Sequence, residues 1–112
     1  MNNLVNRVVL IGNLGGNPEL KEIGNNTQVL NMSLATNENY KDPNGEPVQK
    51  TTWHRVVAWN GAAKFLAENC KTGSRLLIEG KLENKQWETD KGEKRYSTEI
   101  RMKEFMLLDD KK

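Results

Sequence analysis

The chain has 112 residues, enough for one domain with its own core and no need of cross-links. Its charges nearly cancel, with 17 Lys and Arg against 15 Asp and Glu, so affinity for a polyanion must come from where the cations sit. A single cysteine, Cys70, excludes an internal disulfide and a thiolate metal cluster, and no apolar run is long enough to span a bilayer; both fit a cytoplasmic protein without a membrane partner.

Arg7 to Leu14, "RVVLIGNL", is apolar on both alternating faces, as a strand buried on both sides would be. It is not followed by a small-residue cleavage site, so it reads as a strand and not as a leader. "GGNP" breaks it, "ELKEI" is at most a short continuation, and "GNN" at Gly24 to Asn26 is a turn signal. Gln28 to Thr36 alternates, with Leu30, Met32 and Leu34 on one side and Asn31 and Ser33 on the other. Asn37 to Lys50 is polar, contains Pro43, Gly45 and Pro47, and reads as a long flexible hairpin connection carrying Tyr40 and Lys41.

Thr51 to Trp59 is the next strand. Alternation places Trp53, Arg55, Val57 and Trp59 on one face and Thr52, His54, Val56 and Ala58 on the other. Val57 beside two tryptophans is an anomaly for an exposed face, which a bend in the strand would resolve. One helix follows, with Asn60 as its cap, Ala62, Phe65 and Leu66 as its apolar stripe, and Gly73 as its terminator. Arg75 to Trp87 alternates with Leu76, Ile78, Gly80 and Leu82 inward, leaving Lys81, Lys85 and Trp87 on the other face. After the turn "TDKGEK", Arg95 to Lys103 pairs back with Tyr96, Thr98, Ile100 and Met102 inward, and Phe105 to Leu108 extends it.

The expected architecture is mainly β: five strands, with one helix between the third and fourth. Small all-β domains hide their edges by closing. This order is that of the oligonucleotide/oligosaccharide-binding barrel. It forms one domain over residues 1–108, with a short charged end at 109–112.

The aromatics suggest what such a barrel would hold. Trp53 and Trp59 share a face with Arg55, Trp87 shares one with Lys81 and Lys85, and Tyr40 adjoins Lys41. Flat rings beside cations suit unpaired bases and their phosphates. Any one of these rings is as readily explained by core packing, but the interleaved cations favour binding for the set. Enzymatic readings find less support. "GNLGGNP" lacks the lysine of a nucleotide-binding loop, and His54 is the sole histidine, with no second ligand at metal spacing and no nucleophile motif nearby. Glu79 and Glu83 share a face, but Lys81 intervenes and no third carboxylate completes a nuclease metal site. No cofactor and no metal are expected.

The segments "NRVVLIGNLGGNPEL", "LATNENYKDPNGE", "TTWHRVVAWNGAAKFLAENCKTGSRLLIEGKL" and "KQWETDKGEKRYSTEI" resemble, in order and spacing, the bacterial single-stranded-DNA-binding proteins. The likeness runs from Asn6 to about Leu108, and its middle motif, "WHRVV" followed by the helix, is highly specific. It implies a non-catalytic, sequence-tolerant binder of single-stranded DNA in replication, recombination and repair, nucleoid-associated and usually a homotetramer built from dimers. It also implies base-stacking roles for Tyr40, Trp53, Trp59 and Trp87, with tyrosine where the family typically has tryptophan and Trp59 where it has phenylalanine.

By the same resemblance His54 lies at a subunit contact, and the doubly apolar first strand gives one face to the barrel and the other to a partner, with Val8 and Leu10 assigned to that contact. Family members commonly continue through a linker to an acidic tip that recruits other proteins. The sequence stops at "LLDDKK", with the tail either naturally absent or removed, so these residues do not support such recruitment. The alternative is a replication-restart or plasmid-encoded relative that acts as a dimeric adaptor on the same barrel.

Overall fold

The computed structural model describes residues 4–108; the expected charged end at 109–112 lies outside the described residues. The elements are β1 (Val8–Leu14), β2 (Glu19–Glu22), β3 (Gln28–Lys41), β4 (Pro47–Trp59), α1 (Asn60–Asn69), β5 (Arg75–Glu88) and β6 (Lys94–Leu107). Neighbouring strands run β1-β5-β6-β4-β3-β2, and a further β1–β3 pairing, Asn13 opposite Ala35 and Leu14 opposite Leu34, closes five of them into a barrel. The closure needs a close approach of backbones: a Cβ on Gly12 would strike the carbonyl of Ala35. Gly12→Ala is therefore expected to destabilise the fold by about 1–3 kcal/mol, read from a shifted denaturation midpoint at fixed protein concentration.

Barrel closure agrees with the sequence expectation, but the helix lies between β4 and β5. "ELKE" is a strand in its own right, exposed along its whole length and paired to the edge of β3 outside the closed ring. Counting it moves the helix one place along. The turn after it uses left-handed Gly24 and Asn26 (φ 64° and 62°), as the "GNN" signal implied.

The core is a single cluster in which Leu30, Leu66, Leu76 and Ile78 are completely buried. Helix α1 contributes Ala63 and Leu66 to it, while Phe65 stays exposed and meets Phe105 with ring centroids 5.6 Å apart. Asn60 does not cap the helix. It takes a left-handed conformation (φ 52°), and its Oδ1 accepts a hydrogen bond from the Gln28 N–H at 3.1 Å, tying the helix start to β3. Gly73, also at positive φ, makes the turn into β5 after the helix has ended at Asn69.

The segment expected to be a flexible connection is instead an ordered arm. β3 and β4 stay in register from Val29 opposite Trp59 out to Lys41 opposite Pro47, and only a tight turn remains. Asp42 builds that turn: its Oδ1 accepts from the N–H groups of Asn44 and Glu46 at 2.9 and 2.8 Å. A second arm is formed by β5 and β6 beyond the barrel. Leu82 and Tyr96, both expected inward, are 48% and 68% exposed: Leu82 stands at the edge of the core, opposite buried Ile100, and Tyr96 lies beyond it. Asn6 secures the base of this arm, its side-chain amide donating to the Leu82 carbonyl and accepting from the Leu82 N–H at 3.0 and 2.9 Å. Below the arm, within the barrel, the β5–β6 register shifts at Glu79/Gly80, and a Cβ on Gly80 would meet the Arg101 carbonyl.

Strand β1 sorts its faces opposite to the subunit-contact assignment. Val8 and Leu10 pack against the core, whereas Val9 and Ile11 are 51% and 46% exposed. Gly12 and Leu14, buried on the same side as Val8 and Leu10, show why: that parity is set by the closure with β3.

Candidate nucleic-acid interface

Alternation along β4 projects Trp53, Arg55, Val57 and Trp59 out of the barrel wall. The β4–β6 pairing brings Val57 opposite Arg101, and the β5–β6 register then aligns Lys81 with Arg101, Glu83 with Glu99 and Trp87 with Arg95. Three strands therefore share one outer surface of rings, cations and carboxylates.

Trp53 is 60% exposed and lies on Gly15, where a Cβ would collide with the indole ring. The loop after β1 thus provides a seat for one edge of the ring and leaves the rest open. Trp87 is 49% exposed on the second arm. Trp59 is different: it is half-buried, and the Arg101 guanidinium sits 5.1 Å from its ring centroid in a cation–π contact. One face of that indole already has a partner. Arg101 also reaches Glu83 at 3.8 Å.

The strand bend invoked for Val57 is unnecessary. Val57 does point outward, yet only 3% of it is accessible, because it forms the floor under Trp59, Glu83, Lys85, Glu99 and Arg101. Long charged side chains cover apolar surface with their stems while their heads remain in water. Among those neighbours Glu99 is itself buried, 3.3 Å from Lys85 Nζ and 3.8 Å from an Arg55 guanidinium nitrogen. Beside it a shallow cleft over β3 is lined by Asn31, Ser33, Arg55 and Glu99.

Tyr40 and Lys41 both lie exposed near the tip of the first arm, but on opposite faces. Register places Lys41 on the Trp53 side and Tyr40 on the side of Thr36 and His54. Tyr96 likewise occupies the face of the second arm opposite Trp87. The second arm therefore bears an exposed ring on either face, and the first bears Tyr40 on one face and Lys41 on the other. Lys81 is half-buried opposite Arg101 at the root of the second arm. His54 is half-buried away from the tryptophans, its Nε2 3.0 Å from Thr36 Oγ1.

Alternation placed Trp53, Arg55, Lys85 and Trp87 on outward faces, and all four are exposed. It missed Tyr96, whose sole cue was its distance from the last core residue, and it missed Glu99 and Arg101, whose roles depend on pairing between distant strands. Among the described residues no three or more His, Cys, Asp or Glu side chains are grouped to hold a metal, and no helix is long and apolar enough to cross a membrane.

A closed five-stranded barrel with rings and cations interleaved on its outer wall defines the class of small oligonucleotide-binding barrels. Residues 5–108 match the model of the single-strand binding protein family, and the chain belongs to that family. It is 40% identical over 105 residues to single-stranded DNA-binding protein 1 of Chlorobaculum tepidum, the match covering 93% of this chain and 65% of that protein. The protein of the same name from Xylella fastidiosa is also 40% identical over 105 residues, with 93% and 77% covered.

Among solved structures it is similar to Plasmodium falciparum SSB in complex with single-stranded DNA, with TM-score 0.84, 32% identity, and 97% of this chain and all (100%) of the other covered. It is also similar to a deletion mutant of the single-stranded DNA binding protein from Thermus aquaticus, with TM-score 0.83, 28% identity, and coverage of 94% of this chain and 51% of that one.

Proposed function

We propose that this protein binds and protects single-stranded DNA in replication, recombination and repair, stacking bases on exposed rings and pairing phosphates with lysines and arginines. The observation that carries the reading is the exposure of Trp53 and Trp87, 60% and 49%, beside Arg55 and Lys85. A large ring left open to water on a strand otherwise able to bury it is a site for a flat partner, and every base has a flat face. Trp87 and Tyr96 on the two faces of the second arm, with Tyr40 on the first, suit a strand that wraps the barrel. The similar Plasmodium protein was solved in complex with single-stranded DNA, which supports the same ligand here.

The test is direct. Oligo-dT is expected to quench tryptophan emission at low salt, with affinity falling as salt rises because phosphate contacts release counterions from the strand. Unchanged emission at saturating oligo-dT would remove the stacking assignment.

The reading extends to assembly. The exposed apolar side chains Val9, Ile11 and Met106 lie on adjoining strands of the wall, so a second copy of the chain would cover them, and a tetramer would be built from such dimers. His54 would sit at the other contact. The mass of the free protein in solution separates the tetramer from a dimeric adaptor. Action in the cytoplasm, on DNA exposed in the nucleoid, follows from the proposed role.

A further inference from the structure

The outer wall contains a carboxylate at its centre, where a surface for phosphates would be expected to hold cations alone. Glu99 is 8% exposed, with Lys85 at 3.3 Å on one oxygen and Arg55 at 3.8 Å on the other. Directly across the strand pair stands Glu83, itself 3.8 Å from Arg101. Two carboxylates opposite each other on paired strands repel, so the pair persists only because three cations lie among them. Those cations belong to the surface that faces DNA: the side chains of Arg55 and Lys85 are 62% and 50% exposed.

We propose that Glu99 is an internal competitor for the DNA backbone, limiting how many phosphates this wall can neutralise; the proposal rests on the single-strand-binding reading above. A phosphate that approaches Arg55 or Lys85 meets a negative charge already in place. If the ion pair persists, the phosphate is repelled. If it breaks, the buried carboxylate is left without its partner and draws a cation from solution. Either way, part of the counterion release that drives phosphate binding is cancelled. Affinity then depends more on the rings than the number of cations implies, and salt weakens it less.

The test compares oligo-dT binding, followed by tryptophan quenching over a series of salt concentrations, for the wild type, Glu99→Gln and Glu99→Thr. Glutamine keeps the shape and threonine suits a strand, so the two variants carry different folding risks. Both are expected to bind about fivefold tighter at low salt, the scale of one released surface ion pair. The slope of log affinity against log salt should steepen by about 0.7 for each phosphate gained. In a background carrying Arg55→Gln and Lys85→Gln, Glu99→Gln should give no gain.

Wild-type binding combined with equal or weaker binding by the variants, or with unchanged slopes, would overturn the proposal. So would a gain that survives without Arg55 and Lys85, or a failure of both variants to fold. Absence of wild-type binding would instead overturn the reading on which it rests.

Discussion

Trp53→Ala is expected to weaken oligo-dT binding by about 1–3 kcal/mol, a loss of roughly five- to 150-fold, while leaving the unfolding midpoint nearly unchanged. The magnitude is the one found for base–aromatic stacks in single-strand-binding barrels, the class to which this chain belongs. The separation of binding from stability follows from position. Trp53 is 60% exposed, rests on Gly15 along one edge, and is not part of the core cluster. Trp59→Ala provides the contrast within the same experiment. That ring is half-buried and already carries Arg101, so its loss should cost more stability and less binding. Equal binding losses at the two positions would show that exposure does not rank the rings.

Leu34→Ala is expected to lower unfolding free energy by about 2–5 kcal/mol, a large part of the about 5–15 kcal/mol that holds a domain of this size together. Leu34 is 1% exposed and stands between Leu14, across the closing pair of strands, and His54 on β4. Truncation there leaves a cavity at the seam of the barrel. Its strand neighbours Ser33 and Ala35 project to the outer wall with Arg55 and Trp53, so the protein that remains folded should bind oligo-dT with wild-type affinity. Denaturant midpoints at fixed protein concentration, with the slope unchanged, measure the loss. A cost below about 1 kcal/mol would mean that the seam closes over the missing methyl groups.

The two substitutions act on opposite faces of the same wall, and the division between those faces was largely legible in the residues. Alternation identified Leu30, Met32 and Leu34, Val56 and Ala58, Leu76 and Ile78, and Ile100 and Met102 as core, and all are buried. It also turned Trp53, Arg55, Lys85 and Trp87 outward. Hydrophobic periodicity records which face of a strand is dry, and in a small barrel that is enough to recover the ring of strands.

Periodicity is silent where neither face is dry. The arm from Asn37 to Lys50 is polar on both sides and so read as a loop, although its backbone is paired to the tip. The strand "ELKE" is exposed throughout, and without a buried face it was absorbed into its neighbour, displacing the helix in the count. Toward the second arm the alternation ran past the end of the core: it placed Tyr96 inward where no interior remained, and Leu82 inward at the core's edge, where it stays 48% exposed opposite buried Ile100.

Strand β1 shows the converse ambiguity, since both its faces are apolar. Only the closure against β3 decided that Val8 and Leu10 turn inward while Val9 and Ile11 remain exposed. The sequence by itself thus determined the barrel, its core and the existence of an aromatic, cationic wall. The tertiary structure alone decided that Arg101 covers Trp59, that Glu99 stands between Arg55 and Lys85, and that Val57 lies beneath them. The physical reason is that these contacts join β4, β5 and β6 across register. No local pattern encodes register between strands so distant in the chain.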